Sequence, residues 1–138
     1  MKILFLCVAN SARSQIAEGI AREMFGKNHH VRSAGSEPSG SVHPNAIRVL
    51  DEIGIDASLH SSKSVDDLEK DFIDNLDYVI TLCAEEVCPI YITHAKELHW
   101  INEDPANESY SEFESAQAFR NARDNIFKLM KKFYLENL

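Results

Sequence analysis

Cys7 and Arg13 stand six positions apart in the stretch CVANSARS. A continuous apolar run precedes the cysteine and apolar residues at helical spacing follow the arginine, which predicts a loop between a strand and a helix. The backbone N–H groups of residues 8 to 13 and the helix dipole would bind a tetrahedral oxyanion, and Arg13 could add two parallel hydrogen bonds. The same donors would favour a thiolate at Cys7. The stretch is therefore a candidate oxyanion site with a nucleophile at its entrance.

Two more side chains of this loop have tasks available. Ser14 could donate a hydrogen bond to the cysteine sulfur, and Asn10 tolerates the left-handed backbone conformation that such a loop needs. A bare Cys-x5-Arg spacing is common by chance, so a buried core cysteine with a solvated arginine remains an alternative. The position between strand and helix favours the chemical interpretation. The predicted oxyanion-binding residues are Val8, Ala9, Asn10, Ser11, Ala12, Arg13 and Ser14.

A nucleophile that attacks an oxyanion needs an acid to protonate the departing oxygen. Asp104, in the stretch INEDPAN, is the candidate, because it follows a predicted strand and Pro105 holds it in an extended or turn conformation. A plain Asp-Pro turn explains these residues equally well.

Two further cysteines, Cys83 and Cys88, stand in the stretch TLCAEEVCPI. As structural residues they would pack like small hydrophobic side chains, whereas beside a nucleophilic Cys7 they suggest a relay of thiols. In a regular helix, five positions place two Cα atoms about 8 Å apart along the axis, and disulfides rarely bridge more than about 7 Å. A Cys83–Cys88 bond therefore requires an irregular segment or one that unwinds on oxidation.

The composition predicts one globular domain, residues 1 to 138, with a core that needs no disulfide or metal to stabilise it. A net charge of −8 argues against nucleic acid and anionic membranes as partners. No apolar run approaches the ~20 residues of a membrane span, and the apolar start MKILFLCVA is too short for a convincing signal peptide. Three cysteines, an odd number, favour reduced thiols in the cytoplasm. The six histidines show no spacing that fits a tetrahedral metal site, so we predict no metal.

Strand and helix patterns alternate along the chain, which predicts an α/β fold with a parallel sheet covered by helices on both faces. Ligands of such sheets bind beyond the carboxyl ends of the strands, where Cys7 and Cys83 both lie. A helix with a capping pair at Ser64 and Asp67 is predicted before the third strand, and a last helix begins at Ser111. The predicted strands are residues 3–6, 31–34, 78–82 and 98–101.

The stretch CVANSARSQ resembles the signature loop of the low-molecular-weight protein tyrosine phosphatase superfamily. Within it the chain is similar to the thioredoxin-coupled arsenate reductases. That branch is favoured by Gln15 after Arg-Ser, by SAG at 33 to 35, by TLC at 81 to 83 with Cys88-Pro89 following, and by LHW leading to Asp104-Pro105. The resemblance implies a flavodoxin-like four-stranded parallel sheet and no cofactor besides the reducing equivalents of thioredoxin.

The resemblance also implies an order of events. Cys7 attacks arsenate while Asp104 protonates the leaving oxygen. Cys83 then attacks Cys7 and expels arsenite, and Cys88 attacks Cys83 to free Cys7. Thioredoxin, the expected partner, reduces the resulting Cys83–Cys88 disulfide.

The chain departs from these relatives in three places. Ala12 stands where many carry another cysteine, and Cys83 and Cys88 are closer together than usual. Some relatives bind potassium beside the loop, and Asn10, Glu18 and Ser33 match that site, but Lys63 stands where an acidic ligand is expected. Our hypothesis is that the Lys63 ammonium replaces the ion.

Two other functions remain open at this level. A phosphatase acting on phosphotyrosine or small phosphoesters would use the same Cys7, Arg13 and Asp104, although it would not need Cys83 and Cys88. A sensor that binds the oxyanion without turnover would not need the complete set of Cys7, Arg13 and Asp104. We therefore favour the reductase.

Overall fold

The computed structural model describes residues 1–84 and 94–138. These two ranges contain four strands, four helices and a short 3₁₀ turn at Val65–Asp67. The strands are β1 Lys2–Cys7, β2 His30–Gly35, β3 Tyr78–Thr81 and β4 Lys96–His99. The helices are α1 Arg13–Phe25, α2 Pro44–Asp51, α3 Lys70–Asp74 and α4 Glu112–Asn137.

The four strands form one parallel sheet in the order β2-β1-β3-β4. In this register Cys7, the last residue of β1, lies opposite Gly35 of β2, and Leu6 lies opposite Thr81 of β3. The carboxyl ends of β1 and β3 are therefore neighbours. This is the sheet edge at which the sequence predicts a ligand site.

Alternate residues of β1 serve two different cores. Ile3 and Phe5 belong to the larger cluster, which α1, α2 and α4 cover. Leu4 and Leu6 belong to a smaller cluster with Phe72 of α3 on the opposite face. A strand buried on both faces needs a continuous apolar run, which explains the sequence pattern of β1. The predicted α/β fold with helices on both faces is confirmed.

Two predicted elements differ from the observed ones. β4 occupies Lys96–His99, two residues earlier than predicted, because it is an edge strand that needs no apolar run, and Ile101 beyond it is exposed. The Ser64–Asp67 capping box is present but begins the 3₁₀ turn, since Leu68 adopts an extended conformation that ends it. α3 starts afterwards and has only five residues.

Within the described ranges, no helix is both long enough and apolar enough to cross a membrane.

Candidate functional site

The Cys7 side chain lies at the carboxyl end of β1, where the chain leaves the sheet. It is buried, with 3% exposure, and carries a free thiol. Its sulfur lies 2.8 Å from the hydroxyl oxygen of Ser14 in the first turn of α1. When the sulfur is a thiolate it has no proton, so Ser14 must be the donor. The predicted contact between these two side chains is therefore present.

Three carbonyl groups of the loop between β1 and α1 are bound by the segment that follows β2. The carbonyls of Val8, Ala9 and Ser11 accept hydrogen bonds from the backbone N–H groups of Glu37, Ser39 and His43. All described peptide bonds are trans, so the N–H group after each carbonyl points the opposite way. α1 begins without a side-chain cap, which leaves the amide donors of its first turn available to a ligand. This arrangement suits an anion.

Asn10 holds the centre of this loop in a left-handed conformation, with φ of 48°. Its side-chain oxygen accepts hydrogen bonds from Lys63 N and Gln15 Nε2, at 2.9 and 3.0 Å. The Lys63 backbone N–H group can only donate, so it fixes which end of the Asn10 amide is oxygen. The other end, Nδ2, donates to Ser14 Oγ at 2.8 Å. Asn10 therefore connects the loop to the nucleophile through Ser14.

A second segment, residues 61–64, supports the loop from outside. Ser61 O accepts a hydrogen bond from Gln15 Nε2 at 2.8 Å, and Ser62 Oγ donates to Ala9 O at 3.1 Å. Lys63 O accepts from Gly35 N at 2.9 Å, which joins the segment to the end of β2. The sequence predicted Asn10 and Ser14 but missed this support, because most of its hydrogen bonds use backbone groups that any residue carries.

Glu18 of α1 is buried beside this segment and contacts two cationic side chains, a serine hydroxyl and a histidine. Lys63 Nζ and Ser33 Oγ lie 3.6 and 2.8 Å from Oε1. Arg22 Nε lies 3.2 Å and His60 Nε2 3.8 Å from Oε2. Burial lowers the pKa of Lys63, and Glu18 opposes this shift. Glu18, Ser33 and Lys63, three of the residues that the resemblance singled out, are therefore in contact here.

Arg13 is buried at the first position of α1 and is held by two backbone carbonyls. Its Nη1 donates to Asn102 O at 2.9 Å and to Leu82 O at 3.4 Å. Its Nη2 lies 4.0 Å from Asp104 Oδ2, whose side chain is 48% exposed. The structure therefore brings Arg13 and Asp104 together at the sheet edge that contains Cys7. The Asp-Pro turn is also present, since Ala106 N donates a hydrogen bond to Asp104 Oδ1.

His43 lies at the rim of the loop, a position that the sequence analysis did not assign. Its Nδ1 accepts a hydrogen bond from Asn45 N and so caps α2, while its ring packs on Phe119 with a centroid separation of 4.6 Å. Burial lowers the pKa of His43, and the Asp104 carboxylate partly opposes the shift. Only the Pro44 that follows could have suggested a helix start here.

The second predicted cysteine, Cys83, lies directly after Leu82 at the end of β3 and is buried. It is disulfide-bonded, whereas Cys7 is free. Cys88 lies outside the described residues. Among the residues that are described, no group of three or more His, Cys, Asp and Glu side chains is arranged to hold a metal ion.

Comparisons with known proteins agree on one family. A family model for low molecular weight phosphotyrosine protein phosphatase matches residues 2–138. The arsenate reductase of Bacillus subtilis (strain 168) is 41% identical over 133 residues, which cover 95% of this chain and 93% of that protein. Both findings confirm the resemblance drawn from the loop and cysteine motifs.

Solved structures share the fold over nearly the whole chain. An arsenate reductase in the phosphate binding state has a TM-score of 0.79 and 31% identity, covering 99% of this chain and 98% of that one. A thioredoxin-dependent arsenate reductase of Corynebacterium glutamicum has a TM-score of 0.68 and 32% identity, covering 98% of this chain and 62% of that one. The flavodoxin-like arrangement implied by the resemblance is thus confirmed.

Proposed function

This chain belongs to the low molecular weight phosphotyrosine protein phosphatase family, and we propose that within this family it is an arsenate reductase that works through three cysteines. The observation that carries the proposal is the position of Cys83. Leu82, whose carbonyl accepts a hydrogen bond from Arg13, directly precedes it. A second cysteine, whose reduced form could serve as a thiol, therefore stands beside the oxyanion site, where a phosphatase has no use for one.

In the first step the Cys7 thiolate attacks the arsenic of arsenate bound to the loop of residues 8–14. Asp104 gives its proton to the departing hydroxyl group of arsenate, which leaves as water. Arg13 and the loop N–H groups stabilise the charge on the remaining oxygens. The product is an arsenic(V) adduct on the Cys7 sulfur.

The second step transfers the electrons. The Cys83 thiolate attacks the Cys7 sulfur, a Cys7–Cys83 bond forms, and the electron pair of the broken sulfur–arsenic bond reduces arsenic(V) to arsenite. The Cys88 thiolate then attacks Cys83 and releases Cys7 as a thiolate. The dithiol of thioredoxin reduces the Cys83–Cys88 disulfide, so two thiols supply both electrons and no other cofactor is needed.

The redox state of the described cysteines is consistent with the end of this sequence. Cys7 is a free thiol and Cys83 is disulfide-bonded, so the proposed nucleophile is free while Cys83 is oxidised. The similarity to a thioredoxin-dependent arsenate reductase supports thioredoxin as the reductant. We assign the whole chain, residues 1 to 138, to one catalytic domain working in the cytoplasm, where thiols are kept reduced.

A phosphatase is the second candidate, because phosphoester hydrolysis would use the same Cys7, Arg13 and Asp104. The family match favours this candidate. It would pass through a phosphocysteine on Cys7 that water hydrolyses, and it would leave Cys83 and Cys88 without a role.

One assay separates the two candidates. NADPH consumption is followed with the purified chain, thioredoxin and thioredoxin reductase, with and without arsenate, for wild type and Cys88→Ser. We expect continuous arsenate-dependent turnover in wild type. In Cys88→Ser we expect each enzyme to form one arsenite and then stop. Without the Cys88 thiol, nothing attacks Cys83 to release Cys7 from the Cys7–Cys83 disulfide.

The opposite pattern would refute the reductase. Absence of turnover, together with aryl phosphate hydrolysis that survives Cys88→Ser but not Cys7→Ser, would identify a phosphatase. Cys83→Ser is the matched control, since it should accumulate the arsenic adduct and release no arsenite.

A further inference from the structure

Asn102 is the anchor of the loop that carries Asp104. Its side chain is buried, with 4% residue exposure, whereas Ile101, Glu103 and Asp104 are all exposed. A polar residue is thus buried here between neighbours that face solvent. Such burial costs free energy unless both ends of the amide find partners.

Both ends of the Asn102 amide do find partners. Its Oδ1 accepts a hydrogen bond of 2.7 Å from Asn125 Nδ2 on α4, and its Nδ2 donates to Trp100 O at 3.0 Å. Its backbone carbonyl accepts the 2.9 Å hydrogen bond from Arg13 Nη1. One residue thus connects α4, the Asp104 loop and the arginine of the oxyanion site.

We propose that the Asn102–Asn125 pair is a positioning device that fixes the guanidinium plane of Arg13 and thereby sets the affinity of the loop for a tetrahedral oxyanion. The inference rests on the proposed function only in taking an oxyanion as the ligand of Arg13. Neither asparagine touches that ligand, so both are positioning residues.

The physical reason is geometric. Bidentate recognition of an oxyanion needs the planar guanidinium in one orientation, and a misplaced charged donor loses much of its effect. The orientation of Arg13 follows the Asn102 carbonyl. That carbonyl is held by α4, a helix of 26 residues whose Phe119 and Ile126 are fully buried in the larger core. The exposed loop is thereby tied to a rigid element.

A neutral amide suits this position better than a charged side chain. Asn102 must accept from one neighbour and donate to another, which an amide does and a carboxylate cannot. It also adds no net charge beside Arg13 and Asp104, which lie 4.0 Å apart.

The test uses the full chain and inorganic phosphate as the probe. Asn125→Ala removes the donor to Asn102 from an exposed helical position and leaves the oxyanion site intact. Isothermal titration calorimetry should show phosphate binding weakened about three- to tenfold, the loss expected for one hydrogen bond. Asn121→Ala is the matched control: Asn121 lies one turn earlier on α4, and its side chain accepts a hydrogen bond from Gln117 instead. We expect it to bind phosphate like wild type.

A double-mutant cycle checks that the two asparagines act together. Asn102→Ala should also weaken phosphate binding, and adding Asn125→Ala to it should have little further effect. A merely structural role would lower the melting temperature of the free chain in both variants without changing phosphate affinity.

Three outcomes would each overturn the inference. They are an unchanged phosphate affinity in Asn125→Ala, independent effects of the two substitutions in the cycle, and no phosphate binding by wild type. These outcomes are separate from the proposed function. If wild type binds phosphate but does not reduce arsenate, the reductase proposal fails. The phosphate affinities of the variants still test the role of the Asn102–Asn125 pair.

Discussion

The Cys7 sulfur lies 2.8 Å from the Ser14 hydroxyl oxygen, and that oxygen accepts a hydrogen bond of 2.8 Å from Asn10 Nδ2. Because the Asn10 amide can only donate through Nδ2, the hydroxyl proton of Ser14 is available to the sulfur. All three residues are buried. They form one chain of hydrogen bonds that ends at the Cys7 sulfur.

Replacing Ser14 should therefore slow the attack by Cys7. A hydrogen bond to a charged group contributes about 1.5–3 kcal/mol, so Ser14→Ala should reduce the single-turnover rate of arsenite formation by about 10- to 100-fold. Ser11→Ala is the control, because no side-chain hydrogen bond of Ser11 to other described residues is found. Equal rates in the two variants would contradict the role of Ser14.

Asp104→Asn tests the proposed acid. The amide cannot protonate the departing oxygen, so arsenite formation should fall by about 10²- to 10⁴-fold. Phosphate affinity should stay within about threefold of wild type, because the acid acts on the leaving oxygen and not on the bound anion. Rapid-quench kinetics and calorimetry measure the two effects. A variant that loses phosphate binding with its rate unchanged at saturation would show instead that Asp104 orients Arg13.

Gly35→Ala should damage the loop by steric conflict. An added Cβ would clash with Val8 O and lie 2.9 Å from Asn10 N, and both are backbone atoms that cannot move independently. We expect a loss of about 1–3 kcal/mol in the free energy of unfolding, measured in urea, together with weaker phosphate binding. Gly19→Ala is the matched substitution. Its Cβ would meet the end of the flexible Leu50 side chain and, at the ordinary contact distance of 3.5 Å, Ile55 Cγ2, so phosphate binding should be unaffected.

Because the pKa of His43 is lowered in the folded chain, we expect the chain to lose stability in mild acid. Burial lowers its pKa in the folded chain, so below the unfolded value of about 6.5 the unfolded chain binds the extra proton more readily. The contribution of neutral His43 to stability is thus complete above about pH 6.5 and declines as the pH falls towards the folded pKa. A protonated Nδ1 also cannot accept the hydrogen bond from Asn45 that caps α2.

His43→Asn should remove this pH dependence, because asparagine caps a helix and does not titrate. Urea unfolding between pH 7.5 and pH 5.5 should show a smaller loss in the variant than in wild type. Parallel losses in both proteins would contradict the prediction.

Lys63 determines the expected response to potassium. If its ammonium replaces the ion beside Glu18, from which it lies 3.6 Å, wild-type activity should not change when potassium replaces sodium at constant ionic strength. Lys63→Asp supplies the carboxylate that the resemblance associates with ion binding, so its activity should rise with potassium. Strong potassium activation of wild type would refute the hypothesis. Lys63→Met should be less stable in either salt, because buried Glu18 loses one of its cations.

The chemical groups of the site and the layered fold could be predicted from residue types and their spacing. A doubly buried β1, strands alternating with helices, and Cys7 and Cys83 after two strands together require a parallel sheet with both cysteines at one edge. Asn10 and Ser14 could also be predicted, because a left-handed position and a hydroxyl near a thiolate are local properties of residue type. The position of β4 was missed because its edge role leaves little apolar signal in Lys96–His99.

The distant residues that complete the site could be identified only from the folded structure. Arg13 contacts Asn102, 89 positions away, and Asn102 contacts Asn125 on another helix. The 61–64 segment reaches the loop largely through backbone groups, and His43 reaches the rim through a helix cap. Such contacts depend on where the packed helices carry a loop, and neither residue type nor spacing encodes them locally. The residue types of the loop can be read from the sequence, whereas the contacts that hold the loop in place come from the packing around it.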